Sequence, residues 1–493
     1  MPLFSIIAIG YTISMPEELE TIAENPREAC GVFGIYAPGQ PVAELTYRGL
    51  LALQHRGQDG AGIAISDGDS ISVIKNTGLV ERALDRGAVL SGFGSAALAS
   101  GHVQYSTYHA DRPQDIRGVQ PLFGENGDQA FTISQNGHTI NCEELERELG
   151  VTDYASDGEL IADLIIEELS HTKSLKLAVE RACNLLNGAY SLIIMGRQEI
   201  IGIRDPNGFR PLNIGKLPEG GYVLASELAA LSIVKAEPIR EVNPGELVQI
   251  NGQGLQSHSP FDQKNVRSNL CAFEFVYFSR PDNEMLGENV EQVRFRSGQK
   301  LAKEAPVDAD IVISVPNSGI SATHGFADVS KTPMKQGITK NPYVHRTFIE
   351  SSQTSRENLV RLKHNVNKTI VEGLRVVMID DSIVRLTTSK HTVAMLREAG
   401  ASEVHLRIAS PPYKWPCFYG MNTGNINELA AAFMDVEEIR QEIGADSLAY
   451  LSIKGLQSSL GKAVGKVCMA CMTGEYPTSV PEELLIKRSL GGS

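Results

Sequence analysis

The stretch Val376-Val-Met-Ile-Asp-Asp-Ser-Ile-Val-Arg385 constrains the fold more than any other part of the chain. Apolar residues run straight into two adjacent carboxylates, Asp380 and Asp381. Two acids at the end of a buried strand are costly to hold together unless they bind something. The loop from Ser382 to Thr388 opens a helix over Thr388–Ala399, and a strand follows at Glu403–Ala409. Upstream, strand Ile311–Val315 leads through a glycine-containing loop into helix Gly319–Val329. Strand, loop, helix and strand in that order imply a parallel sheet with crossover helices. The loop after the acids ends at a helix N-terminus, where backbone N–H groups favour a phosphate.

The first half is organised around Cys30, in Pro26-Arg-Glu-Ala-Cys-Gly-Val-Phe-Gly-Ile35. A cysteine thiolate is a strong nucleophile but needs a base, and no histidine lies close in sequence. Cleavage before Cys30 would place a new α-amine on the nucleophile itself. The ordinary pKa of such an amine is about 8, near what a general base requires at neutral pH. Taken alone, the same residue reads as a buried structural cysteine. From Glu28 to Ile250 short strands alternate with helical periodicity at Glu44–Gln54, Glu143–Leu149, Asp157–Leu169 and Ser174–Leu186. That mixture suits stacked sheets with outer helices. Asn251–Asn269, polar and rich in Gly and Ser, reads as the loop between domains.

The 493 residues suggest two or three domains. A net charge of −14 argues against a general nucleic-acid surface. There is no apolar run of the roughly 18 residues a membrane span needs. Seven cysteines, an odd number in a long chain, point to a reducing, cytoplasmic compartment with catalytic or metal-bound cysteines. Residues 1–29 read as a leader or propeptide. Leu3–Ile9 lacks the basic flank of a secretory signal, and Met15 is the expected start of translation.

Five segments follow Cys30 in order: Leu53-Gln-His-Arg-Gly-Gln-Asp59, Ala61-Gly-Ile63, Gly101-His-Val103 with Tyr105-Ser-Thr107, Gln135-Asn-Gly137, and Ser156-Asp-Gly-Glu159. Together they resemble the glutamine amidotransferase domain of the N-terminal nucleophile hydrolases, while Val376–Arg385 resembles a type I phosphoribosyltransferase signature. The pair resembles the glutamine phosphoribosylpyrophosphate amidotransferase family from Pro26 to about Pro481. The fold class implied is α+β and α/β. An αββα sandwich would span residues 30–265, and a parallel-sheet phosphoribosyltransferase domain residues 266–493. The implied function is amination of phosphoribosyl pyrophosphate by glutamine, the first step of purine synthesis. Purine nucleotides would act as feedback inhibitors and the assembly would be a homotetramer, with no nucleic-acid or membrane partner.

The resemblance assigns residues as well. Cys30 would attack the glutamine carboxamide, its own α-amine serving as base. Asn136 and Gly137 match the oxyanion hole, since an amide and a backbone N–H donate without carrying charge. Arg56 and Asp157 match positions that hold glutamine, Asp157 through the α-amine. Asp380 and Asp381 would hold ribose hydroxyls and Mg2+, with Ser318 in the pyrophosphate and metal loop. Thr387, Thr388 and Ser389 would hold the 5′-phosphate, and Lys340, Arg346 and Lys363 lie in segments like a closing loop. Cys271, Cys417 and Cys468-Met-Ala-Cys471 match four ligands of a [4Fe-4S] cluster, although a lone Cys-x-x-Cys also serves zinc and redox sites. Cys142 and Cys183 read as core residues or surface thiols.

Four departures stand out. Gln104 occupies the place of an arginine for the glutamine α-carboxylate and brings no charge. Leu386 replaces a glycine in the phosphate loop, where a positive φ would disfavour it. Asn317 replaces an aspartate and Pro342 an arginine. They motivate an alternative: an activity-impaired paralogue with a binding or regulatory role, or an amidotransferase with an altered donor.

Overall fold

The computed structural model describes residues 30–91, 96–105, 116–151, 154–341, 364–421, 426–481 and 484. The leader, Arg346 and Lys363 lie outside these residues, as does Pro342.

Thirteen strands of the first half form two antiparallel sheets. One has the spatial order Glu237–Glu241, Asn213–Lys216, Tyr222–Ala225, Gly31–Tyr36, Leu98–Gln104, Gly60–Ser66, Ile71–Thr77. The other runs Gly254–His258, Leu247–Asn251, Ile200–Arg204, Gly188–Gly196, Gln129–Thr139, Leu122–Asn126. Val32, Leu98 and Leu224 of the first meet Ile193, Ile200 and Val248 of the second in a shared core. Helix Val42–Ala52 covers the outer face of the first sheet through Tyr47 and Leu50. Helices Asp157–Thr172 and Leu175–Leu185 cover the outer face of the second through Leu160, Ile165 and Val179. Central strands are therefore buried on both faces, which is why Gly188–Gly196 reads as a continuous apolar run rather than an alternating one.

In the second half, four parallel strands take the order Ile311–Ser314, Arg375–Asp380, Glu403–Ile408, Ser447–Tyr450. Helices Thr387–Glu398 and Val436–Ile443 pack on one face through Val393, Leu396, Ile439 and Ile443. Val290–Glu304 and Ile320–Ser330 pack on the other through Leu301, Ala322 and Phe326. Asp380 ends a central strand, so its carboxylate stands at the C-terminal rim of the sheet.

Some elements differ from the sequence reading. Within the expected loop at 251–269, Gly254–His258 turns back on Leu247–Asn251 as an edge strand. An edge strand has only one neighbour, so little apolar patterning marks it. Glu274–Phe278 winds into a π-helical turn that no periodicity signals. Ser447–Tyr450 is a short fourth strand added at the edge of the parallel sheet.

Candidate active sites

Register places the nucleophile. Gly31 lies opposite Val103, which brings Cys30 to the end of the neighbouring strand. The Tyr105 N–H donates to Sγ at 3.4 Å, and the thiol donates to the Tyr105 carbonyl at 3.5 Å. Burial pushes the thiol up to about 11, and the Tyr105 N–H offsets only part of this. The charges of Asp157, Arg210 and Arg56 all act on it, so these side chains converge around Cys30. At neutral pH the sulfur keeps its proton, and attack requires a base.

Asn136 and Gly137 lie on strand Gln129–Thr139, which is pinned across the sandwich to Leu98–Gln104. Ser100 and Thr132 hydroxyls meet at 3.3 Å, and His102 Nε2 lies 2.8 Å from the Gln135 carbonyl. Asn136 is fully buried, and neither Nδ2 nor Oδ1 has a partner among the described residues. An unsatisfied buried amide costs about 1–3 kcal/mol, so it marks a place where a ligand completes the structure. Gly137 has φ +141°, and a Cβ there would stand 2.0 Å from the Ala189 carbonyl oxygen. Gly137→Ala is therefore expected to displace this strand by a sizeable fraction of an ångström and to lower glutamine turnover about a hundredfold. Release of glutamate measures it.

Asp157 is the first residue of its helix and Ser156 the residue before it, so Asp157 does not cap the helix. Its Oδ2 accepts from Gln135 Nε2 at 2.9 Å and from the Thr139 N–H at 3.0 Å, and His138 Nδ1 approaches to 3.4 Å. Gln104 is tied into the same network. Its Oε1 accepts from the Gln120 N–H at 3.1 Å, and Gln120 Oε1 accepts from the Gln135 N–H at 2.6 Å. Sequence reading missed Gln120, Gln135 and His138. The available signal was an unbroken run without apolar side chains, Ser134 to Thr139, at the end of the strand.

The structure corrects the role expected of Arg56. Its Nε donates to the Cys30 carbonyl at 3.1 Å, one terminal nitrogen donates to Glu227 at 2.6 Å and Glu274 at 3.0 Å, and the other to Glu274 at 2.7 Å. A guanidinium has five N–H donors in a fixed fork. With the side chain sealed from solvent and this many donors committed, no fork remains for a substrate carboxylate. Arg56 anchors the backbone that carries the nucleophile. Arg210 joins it on Glu274 and donates twice to the Tyr419 carbonyl, at 3.1 and 2.7 Å. Glu274, Arg210 and Tyr419 thus join the two halves of the chain, and Phe209 stacks on Tyr419 with ring centroids 4.1 Å apart.

At the second site the Asp381 N–H donates to Asp380 Oδ1 at 2.9 Å, and Ser382 Oγ donates to Asp381 Oδ2 at 2.6 Å. Ser318 Oγ also donates to Asp381. Burial, together with the Asp381 charge, pushes Asp380 well above the usual carboxylate range. Such a pair holds a proton until a cation replaces it, which fits Mg2+ bound by carboxylates and substrate oxygens. Thr387, Thr388 and Ser389 form the first turn of helix Thr387–Glu398, and Thr388 Oγ1 is buried without a partner among the described residues. Leu386 has φ −80° and ψ −19°, an ordinary helical conformation, so the expected positive-φ strain is absent; its side chain packs on the sheet core. Lys340 ends strand Ile338–Lys340, paired with His364–Val366 in a separate small sheet. A cavity joins Asp381 and Ser318 to Arg294, Phe275 and Val276. It thus runs from Asp381 to the turn that carries Glu274.

The cysteines of the second half gather in one core. Cys271 and Cys468 face each other in a parallel pair, and Cys417 and Cys471 are buried beside them. Burial pushes Cys271 up to about 12, with Arg210 opposing and Cys417 adding to the rise. Cys471 is pushed well above the usual thiol range by burial, then by Cys271, Cys417 and Cys468. Among the described residues no three His, Cys, Asp or Glu side chains close around one ion. A [4Fe-4S] cluster takes four thiolates, and the cysteines of this core supply that number. Cys142 and Cys183 are buried.

Comparison with known proteins supplies the context. Residues 110–233 match a family model described as a glutamine amidotransferase domain. The chain is 44% identical to the amidophosphoribosyltransferase of Synechococcus elongatus over 94% of both chains. It is 42% identical to that of Bacillus subtilis, over 93% of this chain and 96% of the other. The solved glutamine phosphoribosylpyrophosphate amidotransferase of B. subtilis, in complex with ADP and GMP, superposes with a TM-score of 0.85 over 92% of this chain and 98% of that one, at 42% identity.

Proposed function

The chain belongs to the amidophosphoribosyltransferase family, and from that premise we propose how its residues divide the work. The reaction is glutamine-dependent amination of phosphoribosyl pyrophosphate, which opens purine biosynthesis. Cys30 attacks the amide carbon of glutamine. Its proton passes to its own α-amine once the leader is removed, and then to the departing ammonia. Asn136 Nδ2 and the Gly137 N–H hold the oxyanion, and Asp157 holds the substrate α-ammonium. Water resolves the γ-glutamyl thioester to glutamate. Ammonia crosses past the Glu274–Phe278 turn and displaces pyrophosphate at the ribose C1.

Asp380, Asp381 and Ser318 would hold Mg2+, which when bound offsets the charge of the departing pyrophosphate. The first turn of helix Thr387–Glu398 takes the 5′-phosphate. The observation that carries this reading is the buried Asn136 amide, without a partner among the described residues, on the strand that faces Leu98–Gln104 beside Cys30. The test is glutamate release with and without phosphoribosyl pyrophosphate; an enzyme inert toward glutamine in both cases overturns it.

We also propose that Cys271, Cys417, Cys468 and Cys471 hold a [4Fe-4S] cluster, which would staple the C-terminal segment to the second half. Anaerobically purified protein is expected to be brown and to carry about four irons per chain, with Cys468→Ala losing most of them. Iron and sulfide analysis decides, and an iron-free active preparation contradicts it. By relation to the B. subtilis enzyme with ADP and GMP, purine nucleotides are the proposed feedback ligands; the family resemblance suggests a homotetramer as the assembly.

A further inference from the structure

We propose that His138 recognises the α-carboxylate of the amide donor. This rests on the reading of Asp157 as the site of the α-ammonium. An amino acid donor is a zwitterion, and its carboxylate lies one carbon away from the ammonium. A group that holds the carboxylate must therefore stand next to Asp157. Among the described residues, cationic side chains near that point are few. Arg56 and Arg210 are sealed from solvent and paired with Glu227 and Glu274. Gln104 carries no charge, and its carbonyl oxygen is occupied by the Gln120 N–H.

His138 meets the requirement. Its Nδ1 stands 3.4 Å from Asp157 Oδ2 and is buried with no hydrogen bond among the described residues. The side chain is 22% exposed, so part of it is open to a small ligand. Asp157 Oδ2 is already served by Gln135 Nε2 and the Thr139 N–H; it therefore does not need the imidazole for satisfaction. The backbone under the ring is fixed. His138 pairs with Ala189, and Gly188, at φ +128°, passes so close that a Cβ would stand 2.5 Å from the His138 carbonyl oxygen. An imidazole donating to a carboxylate while its other edge faces Asp157 gives adjacent positions for the two charges of the donor. Charge-assisted bonds of this kind are the strong ones.

The test compares glutamine with γ-aminobutyramide, which keeps the ammonium and the amide but has no α-carboxylate. Wild-type enzyme is expected to prefer glutamine, and His138→Ala to lower that preference in kcat/KM about ten- to a hundredfold, mainly through KM for glutamine. His138→Gln, which still donates, is expected to recover part of it. Equal losses for both donors would make His138 a structural support of Asp157, and a lower KM for glutamine in His138→Ala would make it a competitor for Asp157; either overturns the proposal. Should His138→Ala melt well below wild type, His138→Leu, which fills the space but cannot donate, makes the same comparison, and an unchanged preference there overturns it as well. Failure of the underlying reading looks different: wild-type enzyme would then use neither donor.

Discussion

Cys30→Ala is expected to abolish the use of glutamine while synthesis from ammonium salts continues. In the proposed reaction the sulfur is the atom that bonds to substrate, and alanine leaves nothing for the α-amine to deprotonate. The residual rate should be indistinguishable from that of uncatalysed amide hydrolysis, a loss of many orders of magnitude. The second site is built on another sheet from Asp380, Asp381 and Thr388, so it keeps its chemistry for ammonia supplied from solution. Asn136→Ala should lie between these extremes. It leaves the nucleophile in place and removes one oxyanion donor, a change worth about two to three orders of magnitude in kcat.

The second large effect is on stability. Glu274→Ala leaves Arg56 and Arg210 as neighbouring buried cations without their shared carboxylate. Breaking a buried pair in this way costs about 3–5 kcal/mol, and thermal or denaturant melting measures it. The same network sets an acid limit. Burial alone would raise Glu227, but His55 and Arg56 hold it down to about 2. Glu274 is likewise held below the usual range by Arg56 and Arg210 against its burial. A carboxylate depressed in the folded state stabilises above its unfolded pKa, about 4.3 for Glu, and that contribution is lost as pH falls toward the folded value. Unfolding is therefore expected to set in as pH drops from about 4 toward 2, and Glu274→Gln should weaken that dependence.

Local chemistry was legible in the sequence where a short motif carries it whole. The acidic pair at the end of Val376–Ile379 specified a parallel sheet and its rim, and both are present. The resemblance also gave the sandwich, which continuous apolar strands alone leave ambiguous between sheet and helix. Partners across the chain were not legible. Arg56 carries the same letters whether it faces a substrate or two glutamates, and only the meeting of positions 56, 227 and 274 decides. Gln135 and His138 likewise gain meaning from Asp157, which approaches them only in the folded molecule. The backbone part of the concern over Leu386 falls away for a different reason. A glycine in a phosphate loop suggests a left-handed residue, but here the helix begins early enough for Leu386 to sit in ordinary helical geometry. Of the four departures, Gln104 still bears on substrate binding, and His138 is the donor proposed for the carboxylate that an arginine would hold.

The measurement closest to the central claim is transfer of isotopically labelled amide nitrogen from glutamine to the phosphoribosyl product, compared between wild-type protein and Cys30→Ala with unlabelled ammonium present. Wild type should give labelled product and glutamate in equal amounts, and the variant only unlabelled product. Labelled product from Cys30→Ala would contradict the assignment of Cys30 as the nucleophile that supplies the second site.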